Sequence, residues 1–303
     1  MDDFIVIIPS RLKSSRLPEK ALKDINGKTL IQRVYEQAIQ SKAKEVIVAT
    51  DHKKIADHCK SIGAKFLMTS DQHKSGTDRI AECIELLKIS DDQLIVNLQG
   101  DEPFVIPEHI NLLAECMSDG PYLTFKKLEE RNSFLNSGLI NLHMRIDFST
   151  IQIVIPSERN DQSILTEERS YQHLVKINDD INAVKVVSEV VCSFINDTYL
   201  GVATGFSRAS VTSTSTPFDA IGLHVGIYAY PAKFVTMFSN TEQSLEEKIE
   251  NLEQLRFYRK NIEGKPSFAN VLMLHSKYFD NYVGVDTEED LNRAIEIAKK
   301  NEN

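Results

Sequence analysis

Apolar runs alternate with amphipathic stretches through the first 120 residues of the chain. Phe4–Pro9 reads FIVIIP, a β-branched run with no polar alternation, which is the pattern of a strand buried on both faces. In TLIQRVYEQAIQSK, Leu30, Ile31, Val34 and Ala38 recur at helical spacing and form one apolar stripe. Glu45–Thr50 (EVIVAT) predicts a second strand, KKIADHCKSIG a helix closed by Gly63, and AKFLMT a third strand. DRIAECIELLKI then reads as a helix and QLIVNLQ as a buried strand ending at Gln99. Strand and helix in strict alternation predict βαβ units, hence an α/β fold with a doubly wound, mostly parallel sheet.

The pattern changes between Arg131 and Ile177, where polar stretches flank a single strand-like run, Ile151–Pro156. Its sequence IQIVIPSERN echoes FIVIIPSRLK, but the following cations and the matching helix are missing, so no internal repeat is inferred. This block is expected to act in packing or subunit contact and to be dispensable for chemistry. Beyond it AVKVV, LHVGIYAY and FANVLML predict strands, and SLEEKIENLEQLRFYRK predicts one long helix. TEEDLNRAIEIAKK predicts a final helix with Thr287 as its N-cap and Glu289 and Asp290 in the first turn.

Charge narrows the range of partners. The 303 residues carry a formal net charge of −9, which argues against nucleic acid and anionic membranes as partners. Any bound anion must be held by local cations working against the overall field. The cysteines Cys59, Cys83, Cys116 and Cys192 form no C-x-x-C pair, so free thiols in a reducing cytosol are expected rather than a zinc site or disulfides. The acidic N-terminus that runs at once into a strand does not read as a secretory signal, and no apolar run approaches the ~20 residues of a membrane span.

The local cations stand in IIPSRLKSSRLPEK, residues 7–20, directly behind the first predicted strand. A loop leaving the carboxyl end of such a strand lies at the binding crevice of an open sheet. There Arg11, Arg16 and Lys20, with backbone N–H groups, are placed to hold a polyphosphate; the alternative is a solvated basic turn. NLQGDEP, Asn97–Pro103, sends Asp101 into the same crevice, after a glycine that lets the chain turn. Asp101 is a magnesium ligand or a turn residue, and Asp286 in NYVGVDTEEDL is the second candidate carboxylate or a helix entry. NGKT (Asn26–Thr29) lacks the upstream glycine of a P-loop, since Leu22 holds that position, and reads as a turn leading into a helix. The histidines show no H-E-x-x-H or other zinc-ligand spacing.

IPSRLKSSRLPEKAL, VATD, SGTDRIAE, VNLQGDEP, HVGIYAY, LEQLR and VGVDTEEDL follow one another in this order. Together they resemble the CMP-Kdo synthetases, the 3-deoxy-manno-octulosonate cytidylyltransferases, over residues 4–130 and about 178–298. The resemblance implies a nucleotide-diphospho-sugar transferase, Rossmann-like fold in a single cytidylyltransferase domain. Its nucleotide-binding part would be 1–130, its insertion 131–177, and its sugar-binding and dimerisation part 178–303. It implies transfer from CTP to Kdo (3-deoxy-D-manno-octulosonate) or a related acid such as 8-amino-Kdo, with Mg2+ as cofactor, in a cytoplasmic homodimer serving lipopolysaccharide biosynthesis. By the same resemblance Arg11, Arg16 and Lys20 form the triphosphate clamp, to which Ser14 and Ser15 add hydroxyls. Gln99, Ser75 and Gly76 read cytosine or approach the sugar, and Asp101 and Asp286 hold magnesium. His224, Tyr228, Glu253 and Gln254 grip the octulosonate, with Arg79 as a further contributor. The segment FSRASVTSTSTPF keeps Ser207 and Arg208 of a family loop on the sugar side but lacks its tryptophan.

Overall fold

Every residue of the first strand, Phe4–Ser10 (β1), is buried. A strand covered on both faces needs no polar alternation, and each fully enclosed side chain such as Ile7 or Ile8 contributes about 1.5–3 kcal/mol of burial. A computed structural model of the protein describes residues 3–118, 145–155, 179–193, 198–211, 219–256, 261–262, 265–274 and 282–302. The chain divides into two compact units, the first made of Met1–Ser118, Gly226–Thr241 and Asn281–Asn303, the second of Asp119–Val225 and Glu242–Asp280.

In the first unit β1 lies between two parallel neighbours, Glu45–Thr50 (β4) and Leu94–Leu98 (β6), and Phe66–Met68 (β5) extends the sheet beyond β4. The order is therefore β5-β4-β1-β6, with helices Leu30–Ala38 (α1), Lys53–Ser61 (α2) and Gly76–Leu86 (α3) on the connections. This is the doubly wound arrangement expected from the alternation, and the strand order reverses between β1 and β6. The end of the long strand Asp219–Pro231 (β10) adds antiparallel to β6, from Ile227 opposite Leu98 to Pro231 opposite Leu94.

Local chemistry sets the element ends. Thr29 caps α1 by accepting from Gln32 N, and NGKT is the tip of a hairpin between Asp24–Ile25 (β2) and Lys28–Thr29 (β3). Asn26 and Gly27 both take positive φ there, 53° and 82°, which an asparagine and a glycine tolerate. Gly63 stands at φ 70° just past α2, as a helix stop should. At the last helix, Glu288–Glu302, Thr287 and Asp290 cap one another reciprocally: Asp290 N donates to Thr287 Oγ1, and Thr287 N donates to Asp290 Oδ2.

The second unit is built from the strands Arg145–Ile155 (β7), Lys185–Ser193 (β8), Tyr199–Ser207 (β9), Lys265–Leu274 (β12) and the start of β10, with the two-residue Asn261–Ile262 (β11) added beside β12. Strand β12 pairs parallel with β7 and antiparallel with β9, while β8 pairs antiparallel with β9 and β10. Because β7 also pairs with β10, these five strands form a closed circuit of partners. The strand expected at Ile151–Pro156 thus begins six residues earlier, at Arg145, and the rest of the block 131–177 lies outside the described residues.

The single long helix expected from Ser244 onward does not form. Leu245–Glu250 is one short helix, Asn251 turns left-handed at φ 54°, and Glu253–Arg256 is a separate 3-10 turn. A buried fork holds that turn back on the helix: Arg256 Nε and Nη2 donate to Glu247 Oε2 and Oε1 at 2.9 and 2.7 Å. Two bonds to one carboxylate, with both side chains at most 4% exposed, outweigh the helical propensity of the polar residues between them.

Candidate active site

The sheet order reverses between β1 and β6, and the loops leaving their carboxyl ends carry Lys20 and Asp101, which meet Asp286 from the segment before the last helix. The loop after β1 runs from Arg11 to Lys20, pinned midway by the buried side chain of Leu17. Glu19 adopts a left-handed conformation, φ 52°, and turns the chain into the 3-10 segment Lys20–Leu22. The ammonium of Lys20 donates to Asp101 Oδ2 and to Asp286 Oδ1, each at 2.8 Å. Arg16 Nη2 donates to the other oxygen of Asp286, also at 2.8 Å. Burial pulls the pKa of Lys20 down, but the charges of Asp101 and Asp286 more than offset it, and the net shift is upward. Lys20 is a cation throughout the neutral range.

The two aspartates are joined by main chain as well. Val285 N donates to the carbonyl of Asp101 at 2.9 Å, so the segment before the last helix is laid against the loop after β6. Gly100 lies in the turn expected of it, closed by Glu102 N donating to Gln99 O at 3.3 Å, and it also serves close approach: a Cβ there would stand 2.9 Å from the carbonyl oxygen of Pro9. Behind Asp101, the buried Glu102 accepts from Gly226 N at 2.9 Å, and a Cβ on Gly226 would meet that carboxyl oxygen at 3.0 Å. Burial, then the charge of Asp101, pushes the Glu102 carboxyl up to about 8.

Gln99 packs between two glycines, with ideal Cβ positions on Gly76 and Gly226 both 3.2 Å from its side chain. Its Nε2 donates to Asn97 Oδ1 at 3.1 Å, which orients the amide. Ser75, adjacent, spends its hydroxyl on the N-terminus of α3, accepting from Asp78 N at 3.1 Å while Asp78 Oδ2 accepts from Ser75 N. Arg79 does not face open space. It is buried, and its guanidinium donates to Thr69 Oγ1, Ser70 O and Asp51 Oδ2 at 2.5, 3.1 and 3.1 Å.

The remaining candidates are distributed over other elements. Arg11 is exposed and Ser14 partly buried in the loop after β1. Tyr228 is buried in the first unit, opposite Asn97 in the ladder. His224, Glu253 and Gln254 belong to the second unit. His224 Nε2 lies 2.9 Å from Thr150 Oγ1, with the Phe206 ring edge-on at 5.9 Å. Burial and then the charge of Arg208 push the imidazole down to about 3, so it is neutral at physiological pH. Arg208 is held by Glu250, whose main-chain carbonyl accepts from its Nε at 3.1 Å, and by Asn182 O at 2.8 Å from its Nη1. Lys185, fully buried, satisfies its ammonium with the carbonyls of Asp180, Ala183 and Arg208.

Glu102 and Asp51 were not singled out from sequence, although both stand inside quoted motifs, VNLQGDEP and VATD. An acidic residue in the loop leaving a buried strand is the signal they share with Asp101.

A family model described as cytidylyltransferase matches residues 5–265. The 3-deoxy-manno-octulosonate cytidylyltransferase of Pseudoalteromonas translucida is 34% identical over 97% of this chain and 96% of its own. That of Vibrio vulnificus (strain CMCP6) is 35% identical over 97% of both chains. The chain belongs to the 3-deoxy-manno-octulosonate cytidylyltransferase family. A solved CMP:2-keto-3-deoxy-manno-octonic acid synthetase complexed with CTP superposes with a TM-score of 0.70, at 28% identity over 99% of this chain and 100% of that one. An apo UDP-glucose pyrophosphorylase, only 11% identical, shares the fold with a TM-score of 0.57. Membership of this cytidylyltransferase family makes the protein a nucleotidyltransferase.

Proposed function

We propose that the protein transfers a cytidylyl group from CTP to Kdo, giving CMP-Kdo and pyrophosphate for lipopolysaccharide synthesis. The observation that carries this reading is the convergence of Asp101 and Asp286 on Lys20 at the point where the strand order reverses. In the reaction the anomeric C2 hydroxyl of Kdo attacks the α-phosphorus of CTP in line. The new oxygen–phosphorus bond forms as the bond to the bridging oxygen of pyrophosphate breaks, and the hydroxyl proton passes to solvent. Chemistry of this type depends on positioning and charge rather than on a covalent enzyme intermediate.

Lys20, Arg16 and Arg11 are the cations assigned to the phosphates, with Ser14 adding a hydroxyl. Gln99, oriented by Asn97 and backed by Gly76, is the polar group assigned to base or sugar. Asp101 and Asp286 fit a magnesium ion: they are hard oxygen donors already converging on one cation, and magnesium takes few protein carboxylates beside phosphate and water. When bound, the ion would neutralise charge on the nucleotide phosphates. His224, Tyr228, Glu253 and Gln254 are assigned to the acid, with the His224 imidazole neutral and its Nε2 held by Thr150 Oγ1.

The homodimer and the cytoplasmic setting belong to the same proposal, the latter supported by the free, buried thiols of Cys59, Cys83 and Cys116. No helix among the described residues is long and apolar enough to cross a membrane. The deciding experiment is magnesium-dependent pyrophosphate release from CTP with a panel of acids including Kdo and 8-amino-Kdo, the product being identified by mass. CMP-Kdo as the preferred product is expected. Preference for 8-amino-Kdo would correct the substrate, and no pyrophosphate with any acid despite CTP binding would refute catalysis.

A further inference from the structure

Asp51, the residue directly after β4, divides its carboxylate between two partners. Oδ1 accepts from the main-chain N–H of Leu12 at 3.2 Å, and Oδ2 accepts from Arg79 Nη2 at 3.1 Å. Leu12 is the second residue of the loop after β1, between Arg11 and Lys13. Arg79 cannot swing away, because its other amino group is fixed by Thr69 Oγ1 and Ser70 O. Thr69 is in turn tied to the carbonyl of Thr50 through both its N–H and its hydroxyl. The ion pair is deeply enclosed, with side-chain exposures of 4% for Arg79 and 11% for Asp51.

A buried ion pair gains little stability over a well-packed apolar pair, because desolvation takes back most of the attraction. A carboxylate that also fixes one loop amide has a second use. We infer that Arg79 and Asp51 are positioning residues, an anchor that sets the direction in which the basic loop leaves β1 and thereby the affinity for the nucleotide. This rests on the reading that the loop receives the phosphates of CTP. It gives Arg79 a role within the protein in place of direct contact with substrate.

The experiment compares CTP affinity by calorimetry, and kcat and both KM values, for wild type, Asp51→Asn, Asp51→Ala and Lys20→Ala. Asp51→Asn keeps an oxygen for Leu12, whereas Asp51→Ala removes it. Loss of one well-placed hydrogen bond of this kind is worth roughly tenfold in affinity. Asp51→Ala is expected to weaken CTP by about that factor with the KM for the acid unchanged, and Asp51→Asn to restore most of the loss. Should Asp51→Ala fail to fold by circular dichroism, Arg79→Lys is measured in its place. It keeps a cation for Asp51 but cannot also reach Thr69 and Ser70, so the carboxylate is less firmly held and a smaller weakening, still confined to CTP, is expected. A folded variant with wild-type CTP affinity, or with both KM values raised together, overturns the anchor. If Lys20→Ala also leaves CTP binding intact, the nucleotide reading of the loop falls and takes the anchor with it. If Lys20→Ala weakens CTP and Asp51→Ala does not, the anchor alone is wrong.

Discussion

The ammonium of Lys20 stands 2.8 Å from a carboxylate oxygen of Asp286, a residue 266 positions further along the chain. Asp101 accepts a second hydrogen bond from the same ammonium, and Arg16 donates to the other oxygen of Asp286. Substrate phosphates and a divalent ion would enter a set of charges that is already balanced, exchanging partners rather than creating an isolated charge.

Replacing either carboxylate upsets that exchange. Asp101→Asn and Asp286→Asn should each lower turnover by at least about a hundredfold, the scale for losing charge stabilisation in a transition state. Both side chains are partly exposed, so the melting temperature should change little. Pyrophosphate release at saturating magnesium, beside a thermal melt, checks both statements; near-normal turnover removes that residue from the proposed magnesium site.

The cations of the loop should not be equivalent. Lys20 faces two carboxylates and is largely enclosed, while Lys13 is exposed. Lys20→Ala is expected to raise the KM for CTP by at least about tenfold, and Lys13→Ala by no more than about twofold. Equal effects would mean that the loop acts as a diffuse positive patch.

Gly100→Ala should fail for a reason unrelated to charge. Its Cβ would stand 2.9 Å from the carbonyl oxygen of Pro9, and main chain cannot move aside as a flexible side chain can. A cost of about 1–3 kcal/mol is expected, with turnover reduced more than stability because the displaced residue is the neighbour of Asp101. Urea midpoints and turnover measured together test this, and an unchanged midpoint contradicts the close approach.

His109 gives the fold a pH dependence. Its Nδ1 lies 2.6 Å from the hydroxyl of Tyr282, and burial pushes the imidazole down to about 4, against the opposing charge of Glu108. The unfolded chain binds a proton here below about pH 6.5 and the folded chain only below about pH 4. The stability held above pH 6.5 is therefore lost as pH falls through that window, by about 3 kcal/mol in total. His109→Gln should show a shallower fall in urea midpoint between pH 7.5 and pH 5 than the wild type. An identical slope in both proteins assigns the effect elsewhere.

Much of the first unit was legible because each signal there is local. An unbroken β-branched run marks a two-sided strand, the stripe of Leu30, Ile31, Val34 and Ala38 marks α1, and an aspartate after a strand marks the crevice. The break at Asn251 was not legible, because the polar residues on either side suit a helix. What ends it is a buried Arg256–Glu247 fork that exists only once the segment has folded back. The extent of β7 was hidden for a similar reason: its partners are β12 and β10, far along the chain, and its own first residues are too polar to read as a strand. Arg79 shows the limit at the site. Its motif marks a functional neighbourhood, but whether a guanidinium points at a ligand or at Asp51 depends on where β4 ends in space.

The hydrogen bond from Val285 N to the carbonyl of Asp101 also has a consequence for biosynthesis. The first unit is assembled from three stretches of chain, and the last of them begins only at Asn281. A nascent chain stopped short of Val285 carries the basic loop and Asp101 but no Asp286 to close the cluster. Contacts between stretches so far apart in sequence close late in folding. A chain lacking Asp286 would hold Lys20 with half of its counter-charge, so the cluster is complete only once the third stretch has docked on the first.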